Sequence, residues 1–153
     1  MARSSSQPEP FPYRPERPPV NWPGSVRPPD SPEFEQSAKN WLFDLAPARW
    51  WHEELLHRHP VELASMVRRW LEADVHAMQA GLRDLTDSLS GHDARLPQAS
   101  ELYTHERDWA RAMLEQVKLV EEGLRTALSE AKRRSKAHRA KHLPLPRPRP
   151  ATG

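Results

Sequence analysis

The sequence predicts an all-α protein. Its frame is a long antiparallel helical hairpin, over about residues 60–90 and 98–137, preceded by two short proline-punctuated helices over about 32–45 and 47–58. Three observations predict this. Leu71, Met78 and Leu85 form one apolar series and Val75, Leu82 and Leu89 a second. The steps between the two series alternate four and three residues, the spacing by which one helix shows a continuous seam to another. Alternating and β-branched runs, the marks of strands, are nearly absent. Finally, ten of the seventeen prolines fall within residues 1–32 and four more between Pro144 and Pro150, which leaves the middle of the chain for folded structure.

Charge divides the chain in the same way. Residues 1–30 carry four basic and three acidic side chains, residues 31–131 carry eleven and eighteen, and residues 132–153 carry eight and none. Three parts are therefore expected: a disordered proline-rich leader (1–30), an acidic helical-hairpin domain (31–131) and a basic, proline-rich tail (132–153).

In the leader, Pro12-Tyr13-Arg14-Pro15 and Pro15-Glu16-Arg17-Pro18 have the PxxP spacing that an aromatic groove binds, although such spacing is frequent in any proline-rich stretch. Trp22 is costly to leave in water and is expected to be pinned on the body. Ser31 is placed to cap the first helix, with Pro32 in its first turn and Glu33 and Glu35 at the positive end of its dipole. Phe34, Ala38, Trp41 and Leu45 would form its buried face. Pro47 ends that helix and starts the next, where Ala48, Trp51 and Leu55 make a short stripe, and Pro60 starts the long one.

Gly91 is placed to cap the long helix, and Pro97 or Ser100 to open the last. Leu102, Trp109, Met113, Val117, Val120, Leu124, Ala127 and Ala131 give that last helix a broad apolar face. A short connection between long helices favours an antiparallel hairpin. Gly123, mid-helix, costs about 1 kcal/mol relative to alanine, and close approach of a neighbouring element would explain it. Trp41, Trp50, Trp51 and Trp70 are expected to gather at one end. Trp50 and Trp51 are adjacent and cannot share one helical face, so one of them is a candidate partner-interface anchor.

Chemistry is sparse. His52 and His57 flank Glu53 but lie five residues apart. The metalloprotease helix needs four, and five turns the second ring about 140° away. His138 and His142 have the right spacing within a basic segment that repels cations. Without cysteine there is no thiolate zinc site, disulfide or cysteine nucleophile. No glycine-rich phosphate loop or nucleophile elbow occurs. Glu72 with His76, and Glu101 with His105, read as surface pairs. No catalytic, cofactor-binding or metal-binding residue is expected, and no small-molecule substrate.

The tail carries the strongest functional signal. Lys132, Arg133, Arg134, Lys136, Arg139 and Lys141 place six fixed charges in ten residues. Their repulsion should fray a helix at low salt, and an anionic polymer would relieve it. Three readings stand: a solvated terminus, sequence-nonspecific nucleic-acid contact, and membrane-surface attachment, which lacks the bulky apolar face it requires. No run is apolar enough to span a bilayer and no secretory leader is present, so the expected location is the cytoplasm.

The stretch WLFDLAPARWWHEELLHRHP followed by two long helices resembles uncharacterised small all-helical proteins of high-GC bacteria, over about residues 40–130. That resemblance implies no activity. The reading from the residues is a non-enzymatic helical interaction protein, a homodimer or a binder of another protein through its helices. The alternative is a nucleic-acid-associated accessory protein acting through the tail.

Overall fold

Phe34 opens the first helix, with Glu33 and not Ser31 as its N-cap, in the computed structural model, which describes residues 21–88, 96–144 and 146–148. Helix α1 spans Phe34–Leu45. A 3-10 turn at Ala48–Trp50 and a short α2 at Glu54–Arg58 follow, then α3 at Pro60–Ser88 and α4 at Leu96–Lys141. No strand occurs among the described residues. The PxxP motifs, Leu89 and the Gly91 cap lie outside them.

The long helices pair antiparallel, as expected. Arg68 Nε donates to Glu121 Oε2 at 2.7 Å, and farther along Tyr103 sits where a Cβ on Gly81 would be. The buried seam is formed by Leu63, Ala64, Val67, Leu71 and Val75 of α3 against Ala110, Leu114, Val117, Val120 and Leu124 of α4. Helix α1 lays Phe34, Ala38 and Leu42 over this part of the hairpin, and Leu56 of α2 closes it. Each fully buried leucine contributes about 1.5–3 kcal/mol, so stability is concentrated here.

Ser31, the expected cap, lies two residues ahead of the actual N-cap, Glu33, and its side chain bonds to that residue instead of to the first turn of the helix. Its hydroxyl accepts the Glu33 N–H at 3.3 Å and donates to the Glu33 carboxylate at 2.6 Å. That second bond is the main cause holding Glu33 below its ordinary pKa. Trp22 is pinned as expected, donating Nε1–H to the Val26 carbonyl at 2.9 Å with its ring 5.9 Å from Phe34. The close approach that explains Gly123 comes from α1, since an added Cβ would meet Phe34 Cζ at 3.0 Å.

The second short helix departs from expectation. It is not continuous over 47–58 but breaks after Trp50, and Glu53 is extended (φ −78°, ψ 106°). The break lets neighbouring indoles part. Trp50 lies edge-on to Trp70 at 6.3 Å, while Trp51 turns outward and donates Nε1–H to the Phe43 carbonyl at 2.8 Å. The expected stripe of Ala48, Trp51 and Leu55 is therefore exposed, and Leu56 is the buried residue of this segment. Of the four expected cluster tryptophans, Trp41, Trp50 and Trp70 pack on the core and Trp51 does not.

Candidate interaction surfaces

Cover over the hairpin ends halfway along. Helix α1 has 12 residues, about 18 Å, against about 43 Å for α3 and 69 Å for α4. Among the described side chains Val75 is the last buried one of α3 and Ala110 the first of α4. Beyond them Met78, Leu82 and Leu85 are only half-buried, while Leu102 is 71% and Trp109 43% exposed. Leu102 and Trp109 are two turns apart and share a face. Met113, one turn further, is half-buried against the core. An apolar stripe thus runs out of the core onto open surface.

Glu106 lies on that stripe between Leu102 and Trp109. The residue is exposed, yet its carboxyl is partly desolvated and, when protonated, is placed to hydrogen-bond to the Asp74 carboxylate of α3. Desolvation first, then that bond and the neighbouring negative charge, hold its pKa above the ordinary value.

At the other end α4 continues past the start of α3. Residues 131–141 are helical and every one is exposed. Lys132, Lys136 and Arg139, at steps of four and three, share one side, where with Ala131 and Ser135 they line a shallow concavity of about 500 Å³. Arg134 turns another way, into an open groove of about 460 Å³ whose walls include Arg58, Val61, Leu124 and Leu128. Arg133 and Lys141 complete the set of six cations expected from the sequence. The groove itself has no sequence signature, because its residues come from α1, α2, α3 and α4.

Trp50 and Trp51 differ in what they offer. Trp50 is engaged with Trp70 and has the Arg49 guanidinium 5.8 Å from its ring centre. Trp51 is 47% exposed beside Leu55 at 61%, and His57 stacks on Phe43 at 4.3 Å while reaching the Trp51 carbonyl at 2.6 Å. Among the described residues no group of three His, Cys, Asp or Glu side chains is placed to hold a metal. No helix there is long and apolar enough to cross a membrane. Glu72 accepts from Arg68 at 3.0 Å, a different partner from the His76 one turn on. Compared with family models, with curated proteins and with solved structures, the chain matches none.

Proposed function

We propose that this chain is a non-enzymatic helical interaction protein that self-associates through the uncovered half of its hairpin. One observation carries the reading: the apolar stripe that continues from Met113 through Trp109 to Leu102 after the cover of α1 has ended. A second copy laying the same half of its hairpin there would form a four-helix, coiled-coil-like bundle, the simplest way for two two-helix layers to cover each other. Fully burying Trp109 and Leu102 would contribute up to about 1.5–3 kcal/mol each. Tryptophan is also the residue type most often found as an interface anchor. Action in the cytoplasm, without a cofactor, belongs to the same proposal.

Size-exclusion chromatography with light scattering tests it. The native chain is expected to elute as a dimer at micromolar concentration, and Leu102→Glu or Trp109→Glu as a monomer with unchanged helix content. Leu102→Glu is the safer variant, since that side chain is the more exposed of the two. A native chain that stays monomeric throughout the micromolar range overturns the self-association.

A further inference from the structure

The projecting end of α4 has a chemistry that self-association does not use. No acidic residue follows Glu130 in the sequence. Ion pairs elsewhere give cations of the body a carboxylate: Arg58 with Glu54, Arg68 with Glu72 and Glu121, Arg125 with Glu121, Lys118 with Glu115. Among the described residues none of the six arm cations makes such a pair. They stand exposed on a helix that no other described element covers, repelling one another along its length.

We propose that this arm, residues 131–141, is a sequence-independent docking surface for the phosphate backbone of a nucleic-acid duplex. Lys132, Lys136 and Arg139 lie along one side over about 10 Å, the axial length of about three phosphates on one strand. Ala131 and Ser135, small residues that flank them on the same lining, leave room for a phosphate ridge to approach the helix closely. Arg133, Arg134 and Lys141 point to other sides, Arg134 into the groove on the body, and add to the positive field around the arm. Neutralising them releases condensed counterions, which is the source of affinity in backbone binding.

A lipid surface fits the arm less well. Its apolar residues up to Lys141 are Ala131, Ala137 and Ala140, with nothing bulky to insert. No Phe, Tyr or Trp occurs there, and the single imidazole of His138 is no platform for successive unpaired bases, which favours a duplex over a single strand. The acidic body, with eighteen carboxylates to eleven cations over residues 31–131, repels a polyanion and confines the contact to the arm.

The test is a fluorescence-anisotropy titration of the full chain with short DNA and RNA duplexes, each in two unrelated sequences, over a range of salt. Equal binding of both sequences by either duplex type is expected. Log affinity should fall with log salt at a slope of about −3 to −5 per arm. The triple variant Lys132→Gln, Lys136→Gln, Arg139→Gln should lose at least about tenfold in affinity and flatten the slope by about three. Circular dichroism should show its helix kept, and a chain ending at Ala131 should not bind. The proposal is overturned by absence of binding at low salt, or by undiminished binding of the triple variant or the shortened chain. It is equally overturned if anionic vesicles bind the arm and duplexes do not. The loss of binding expected of the triple variant and of the shortened chain holds whether or not the chain dimerises, since a dimer only multiplies the number of arms.

Discussion

Among the described residues Glu121 is the one charged side chain buried in the seam, with 8% of its side chain exposed, and both of its oxygens are occupied. Arg68 of α3 donates to one and Arg125, a turn further along α4, to the other, each at 2.7 Å. The Arg68 bond to Glu121, and after it the one to Glu72, raise the Arg68 pKa above its ordinary value. Removing one partner of a buried pair strands the other, so Arg68→Met should destabilise by about 2–4 kcal/mol in urea unfolding. The double variant Arg68→Met, Glu121→Leu should recover most of that. Arg125 is half-exposed, and Arg125→Ala should cost less than about 1 kcal/mol. Glu106 gives a second expectation, of opposite sign in pH to a paired carboxylate. Its folded pKa is raised, so its contribution is full below the unfolded value of about 4.3 and is lost as pH rises through the folded one. Glu106→Gln should therefore be the more stable chain at neutral pH, by a few tenths of a kcal/mol given its exposure. The difference should vanish near pH 4. Little at this scale was legible in the sequence. Arg68 and Glu121 stand 53 positions apart, and local spacing pairs Glu72 as readily with His76 as with Arg68. Adjacent Glu121 and Glu122 had to diverge on a helix, but nothing local says which one enters the seam.

Beyond the buried seam, Gly81 of α3 lies directly against Tyr103 of α4. A Cβ there would lie 2.6 Å from Tyr103 Cζ, inside the volume the half-buried ring fills. Gly81→Ala should destabilise the hairpin by about 1–3 kcal/mol despite alanine's better helix propensity. With Tyr103→Ala already made, the same change should become stabilising by up to about 1 kcal/mol, and thermal unfolding of the four chains separates the two effects. At this scale the sequence is a good guide where its signals are redundant. Pro60 does open α3, and Leu71 and Val75 of the two apolar series do enter the seam. It fails where tertiary contacts choose between neighbours. Trp50 and Trp51 would lie about 100° apart on one continuous helix. The break after Trp50 instead gives one indole to Trp70 and the other to a backbone carbonyl of α1. Likewise Leu102 and Val117 read alike in the sequence, and only the length of α1 leaves one open and covers the other.

In the whole molecule an acidic, half-covered hairpin and a basic arm are built on a single helix. No glycine or proline occurs between Gly123 and Lys141, and α4 is continuous from its first residue to Lys141. The arm thus extends a helix already nucleated within the core and does not bear the initiation cost that makes short isolated helices marginal. Because the chain has no cysteine, Ala137→Cys provides a unique labelling position on the arm. A dye there is expected to depolarise with the tumbling time of the whole body, whereas a frayed terminus would give a nanosecond decay. The continuity of α4 has a mechanical consequence. With no joint between grip and body, anything that clamps the arm sets the direction in which the bundle points, and a twist applied at one end is delivered at the other. The arm is a handle, not a tether.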